Sequence, residues 1–130
     1  MRIIGLALVL VVIASCGGAG AAPSPTPIPP IAGAVLVTRA SDRGTVQAHV
    51  GDRIQIALGT EYEWRLDPPD GVVLVHGVQN YLLVRGTQAI WTAAAPGTST
   101  ITATGTVICP SGQACIMIAL LFTTTVIVRP

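Results

Sequence analysis

The side chains able to do chemistry in this 130-residue sequence are few: three cysteines, two histidines and six carboxylates. Two of the cysteines, Cys109 and Cys115, bracket a short run, C-P-S-G-Q-A-C. Two thiolates do not complete a tetrahedral zinc site, and His49 and His76 stand at no ligand spacing from them. A C-x-x-C redox pair is absent. Ser41-Asp42, Ser111 and the two histidines form no nucleophile, base and orienter set. Glu61, Glu63, Asp67 and Asp70 gather around Trp64, and paired carboxylates can move protons or hold calcium. Yet Glu61 and Glu63 alternate with Tyr62 and Trp64, which puts them on the solvent face of a strand, and Asp67 and Asp70 belong to the turn D-P-P-D-G. These residues point away from an enzyme and from any bound metal or cofactor.

What remains is cross-linking, which depends on the compartment. Met1-Arg2 is a minimal basic start, and residues 3–13 are an apolar run. That run is short for a membrane-spanning helix, which takes roughly 20 residues, and has the layout of a secretory signal. It ends in I-A-S-C, residues 13–16, which resembles the lipobox of bacterial lipoproteins. The resemblance implies that residues 1–15 are a signal peptide and that Cys16 carries the lipid. Several acyl chains on one cysteine give stable anchoring where a single chain would be marginal. Residues 16–30 are then a lipidated cysteine followed by a Gly- and Pro-rich tether, whose composition favours extended, unpacked chain. An exported protein oxidises its thiols, so Cys109 and Cys115 are expected as a disulfide at a hairpin tip, with Pro110 and Gly112 suited to the turn.

The elements that hold these residues lie in one domain, 31–130. Its arginines and carboxylates cancel, the net charge of the whole chain is only +1 and lysine is absent, so there is none of the basic surplus of a nucleic-acid binder. The apolar period is two, punctuated by Gly, Pro, Asp and Asn. Strands are expected over 34–38, 45–50, 53–58, 62–66, 72–75, 81–84 and 89–93. A longer one holds Ile101, Ala103 and Val107 on one face and threonines on the other, and the last runs from Ile116 to Val128. Short strands at this spacing, without helix, predict an all-β, immunoglobulin-like antiparallel β-sandwich. Its predicted core is Ile54, Ile56, Trp64, Trp91, Ile101, Ala103, Phe122, Val126 and Val128.

The last hairpin carries a conflict. Pairing Cys109 opposite Cys115 puts Ile101 and Ala103 on the face of Leu121, whereas the later alternation wants Phe122 and Val126 inside. A one-residue slip exchanges faces, so a β-bulge is expected near Gly105 or at 119–121. Both faces of 116–121 are apolar, and a neighbouring loop or the first strand is expected to cover the second one. This run is too short to span a bilayer.

G-D-R-I-Q-I-A-L, then Y-E-W-R-L, G-T-Q-A-I-W-T-A-A-A-P-G-T-S-T-I-T-A-T-G and F-T-T-T-V-I-V resemble the chagasin-type cysteine protease inhibitors. The resemblance covers most of 50–128, with Tyr62, Trp64, Gly97 and Phe122 at framework positions. It implies an immunoglobulin-like sandwich that inserts three loops at one end into a papain-like protease. The loop motifs depart from the family. L-G-T-E-Y stands for N-P-T-T-G-Y, Arg85-Gly86-Thr87 is the match for the middle loop, and C-P-S-G-Q-A-C replaces the R-P-W loop. The implied partner-binding residues are Gly59, Thr60, Glu61 and Tyr62, then Arg85, Gly86 and Thr87, then Pro110, Ser111, Gly112 and Gln113. G-T-S-T-I-T-A-T-G also resembles bacterial Ig-like repeats of surface proteins. The expected function is therefore a non-catalytic, extracytoplasmic lipoprotein of the cell envelope with a protein-binding domain, a cysteine protease inhibitor. The alternative is an envelope adhesion or spacer module using the face of 116–121.

Overall fold

The computed structural model describes Gly20, residues 27–78 and residues 83–130. The expected signal peptide, Cys16 and residues 79–82, where a strand over 81–84 was expected to begin, lie outside the described residues. Eight strands follow in order among these: β1 (Ala34–Thr38), β2 (Thr45–His49), β3 (Arg53–Ala57), β4 (Tyr62–Leu66), β5 (Leu74–His76), β6 (Ala89–Ala93), β7 (Gly97–Val107) and β8 (Ala119–Arg129). They form two four-stranded sheets, β1-β3-β6-β5 and β2-β8-β7-β4, packed as a sandwich. No described helix is long and apolar enough to cross a membrane.

The sheets are mixed and not purely antiparallel. β1 runs parallel to β3, and β2 parallel to β8. The cause is the path of the chain. It leaves β1 through a 3-10 turn, Arg39–Ser41, in which Thr38 and Ser41 cap one another. That turn carries it into the opposite sheet as β2. A second turn, where Asp52 accepts the His49 N–H at 2.8 Å and Gly51 takes φ 93°, returns it as β3. Two reversals with a change of sheet each time leave β1 and β3 pointing the same way.

The period of two sorts the core. Ile54 and Ile56 of β3, Trp91 of β6, Ile101 and Ala103 of β7, and Phe122, Val126 and Val128 of β8 are buried between the sheets. Val107 is only half-buried, at the end of its strand. Burying apolar side chains at roughly 25 cal/mol per Å² is the main stabilising contribution. Small residues face large ones across the β7–β8 ladder, so that Ala103 lies opposite Phe122. Trp64 sits at the margin of the core, half-buried, edge-on to Phe122 at 6.5 Å between ring centroids.

The expected β-bulge is absent. The ladder runs unbroken from Gly97↔Val128 to Thr106↔Ala119, with Ala103 and Phe122 both inward. It ends before either cysteine, so the disulfide imposes no register on it. β8 accordingly begins at Ala119 and not at Ile116. Gly105 serves another purpose. It lies opposite Trp64, and a Cβ there would come within 2.8 Å of the indole ring.

Candidate functional site

Strand direction decides which loops meet. β3 pairs antiparallel with β6 so that Ile56 lies opposite Ala89, which places the start of loop 58–61 beside the end of loop 77–88. β4 pairs antiparallel with β7 so that Tyr62 lies opposite Val107, which places the end of loop 58–61 beside the base of hairpin loop 108–118. All three segments carrying the sequence-implied contact residues therefore lie at one end of the sandwich, joined by the β1–β2 turn.

The first two loops are clasped. The Gln88 side-chain carbonyl accepts the Leu58 N–H at 2.6 Å, and its amide donates to the Gly59 carbonyl at 2.7 Å. The Gln88 N–H donates to the Ile56 carbonyl at 2.8 Å, and the Gly59 N–H to the Gly86 carbonyl at 3.0 Å. Gly59 and Gly86 hold φ of 94° and 89°, a region open to glycine and strained for other residues. One glutamine thus fixes two loop backbones against each other.

A second glutamine works beneath them. Gln55 points away from the core but is fully buried. Its amide donates to Thr87 Oγ1 at 2.9 Å and to the Pro29 carbonyl at 3.3 Å, and its carbonyl accepts the Ile31 N–H at 2.8 Å. Thr87 is thereby buried and holds the loop from inside, while Arg85 beside it is exposed. The last residues of the expected tether, 28–30, are consequently part of the domain surface, with Ile28 set against Gly86.

On the first loop, Thr60 and Glu61 are exposed. Arg39 reaches from the 3-10 turn to Glu61 at 2.6 Å and lies 5.2 Å above the half-buried Tyr62 ring. An exposed ion pair of this kind contributes at most about 1 kcal/mol; its role is to order the loop. Asp42 accepts the Thr123 N–H at 3.0 Å and ties the same turn to β8. Between the turn, the first loop and the start of β8 lies an open groove of about 1020 Å³, lined among others by Arg39, Gly59, Trp64, Arg85 and Leu121.

The hairpin loop carries the expected Cys109–Cys115 disulfide, with Cα atoms 5.9 Å apart. Pro110, Ser111, Gly112 and Gln113 are exposed at its tip, closed by a turn in which the Gln113 N–H donates to the Pro110 carbonyl. The expected cover over 116–121 is missing. Ile116 and Met117, beyond the end of the ladder at Ala119, are 76% and 89% exposed, and Leu121, paired with Thr104 on the outer face of the sheet, is 66% exposed, with no other described element reaching over them.

Among the described residues no three His, Cys, Asp or Glu side chains come together as a metal cluster. Glu63 is exposed on β4, and His49 and His76 end their strands. Asp70 lies at the opposite end of the sandwich and is structural. It accepts the N–H groups of Val72 and Val73 at 2.6 Å each, that of Leu74 at 3.3 Å, and the Ser99 hydroxyl. Loss of hydration pulls its carboxyl upward, but the Ser99 hydroxyl and the three N–H groups outweigh this and hold it below the ordinary 3.8.

No protein-family model and no curated protein matches the chain. Among solved structures it is similar to the cysteine protease inhibitor EhICP2 of Entamoeba histolytica, with 18% identity over 73% of this chain and 94% of that one, at a TM-score of 0.53. It also aligns with amebosin, at 19% identity over 74% of this chain and 98% of that one, with a TM-score of 0.45. At 18% identity the likeness to the inhibitor is one of fold, and it extends the framework resemblance read from the residues to the sandwich as a whole.

Proposed function

We propose that this chain is a non-catalytic, lipid-anchored protein of the cell envelope whose three-loop end occludes the cleft of a papain-like cysteine protease. The observation that carries the reading is the clasped end itself: two loops locked by Gln88 and a third, disulfide-closed loop beside them. A rigid edge of this kind inserts with little loss of conformational entropy, which is how preorganised inhibitors gain affinity. The fold shared with a protein described as a cysteine protease inhibitor supports the same reading. The loops would block by fit and not by reaction, since no nucleophile with its base stands among their described residues.

Lipid anchoring at Cys16 is supported by the I-A-S-C pattern after an apolar run. The test is a panel of papain-like proteases titrated with the chain starting at residue 17. All described strands and every hydrogen bond named above lie within 27–130, so that chain keeps the described folded unit. Nanomolar inhibition of a member supports the proposal, and full activity throughout at micromolar protein dismisses it.

A further inference from the structure

The path of the N-terminal segment says which end of the domain faces a membrane. Going back from Ile31, bonded to Gln55, the chain passes Pro29 and brings Ile28 against Gly86. Pro27 then lines the same groove as Gly59 and Leu121. The domain is therefore entered at its three-loop end. Whatever course residues 17–26 take, Pro27 lies within roughly 40 Å of Cys16. Strand β8 has 11 residues and at about 3.3 Å per residue is nearly as long as that whole reach. An anchor at Cys16 therefore holds the three-loop end near the bilayer, and reaching the far end would consume the entire segment.

At that end the neck of the β7–β8 hairpin is apolar and itself carries no charge, the charged Arg39, Glu61 and Arg85 lying on the neighbouring turn and loops. Ile108 on one side of the hairpin neck and Ile116, Met117 and Ile118 on the other are all exposed. No Asp, Glu, Lys or Arg occurs between Arg85 and Arg129. The disulfide ties the neck, so these side chains are presented by a closed loop. Exposed aliphatic side chains grouped this way mark interaction surfaces, and uncharged ones enter a lipid interface without the cost of dehydrating an ion.

We propose that the neck of the β7–β8 hairpin is a second membrane contact, lying along the bilayer interface with Ile116 and Met117 among the acyl chains and Ser111 and Gln113 among the headgroups. This rests on the anchoring at Cys16 for its orientation. It also carries a regulatory consequence. The hairpin cannot lie in lipid and in a protease cleft together, so the bilayer-docked state is the silent one.

The experiment is co-sedimentation of the chain starting at residue 17, which has no Cys16, with phosphatidylcholine vesicles and with phosphatidylglycerol-containing vesicles. The expected result is partition onto both, falling roughly tenfold or more in a chain carrying Ile116→Asp and Met117→Asp. Both positions are exposed, so the variant should melt as the wild type does. No partition by the wild type, or equal partition by the variant, would overturn the proposal. So would self-association or protease binding lost in the variant without any vesicle binding, which would assign the neck to a protein partner. The mass of Cys16 in the full chain, read separately, distinguishes failure of the anchor from failure of the hairpin contact.

Discussion

Replacing Gln88 with alanine removes both side-chain bonds of the clasp, to the Leu58 N–H and the Gly59 carbonyl. Each such bond contributes about 1 kcal/mol net, and a buried donor left without a partner costs about 1–3 kcal/mol. Leu58 is buried, so its N–H has little access to water; the Gly59 carbonyl, on a half-buried residue, can recover a water. The expected loss is about 2–4 kcal/mol, a drop of roughly 10–25 °C in melting temperature for a domain of this size. Gln88→Glu keeps the acceptor for Leu58 but sets a carboxylate against the Gly59 carbonyl, and should destabilise further at neutral pH than at acid pH. Urea unfolding measures the loss, and inhibition measured below the unfolding transition reads the loop geometry separately. A loss under about 0.5 kcal/mol, with inhibition unchanged, would refute the view that this side chain organises the site.

Gly105→Ala should cost about 1–3 kcal/mol in urea unfolding, because the new Cβ meets the flat Trp64 ring and cannot move it without disturbing Phe122. Asp70 has a depressed folded pKa, so its contribution is fully present above the unfolded carboxylate value of about 3.9 and is lost as pH falls through the folded value. Asp70→Asn should therefore flatten that part of the acid limb in melting curves taken from neutral pH down to pH about 2. Removing the disulfide by Cys109→Ser with Cys115→Ser should cost roughly 2 kcal/mol in the chain-entropy model. Protease affinity, measured by titration, should fall further than stability does, because the bond closes the loop and lies outside the ladder.

The alternation of β3, β7 and β8 made most of the core legible, since Ile54, Ile56, Ile101, Phe122 and Val126 occupy one face of a period-two pattern whatever their neighbours are. Strand direction was not legible. The parallel pairing of β1 with β3 comes from two sheet-changing turns, and composition does not record which sheet a turn leads to. The bulge expected near Gly105 came from assuming that the disulfide belonged to the ladder. The glycine instead answers to Trp64, a residue far away in sequence. The contact loops were placed at one end by family likeness. What locks them left no signal: Gln55, in an alternating strand, reads as solvent-facing until the segment covering it is known, and Gln88 precedes its strand as an ordinary polar loop residue. The bare face of 116–121 was expected to be covered; 116–118 lie beyond the early end of the ladder, and no described element packs on the outer face at Leu121.

The most direct test of the central proposal is a titration of a papain-like protease with three chains side by side: wild type, Thr60→Arg at the exposed tip of the first loop, and Ala94→Arg at the opposite end of the sandwich. Tight inhibition by the wild type and by Ala94→Arg, lost in Thr60→Arg, is the predicted result. An uninhibited protease at micromolar wild type, or inhibition indifferent to Thr60→Arg, would contradict it.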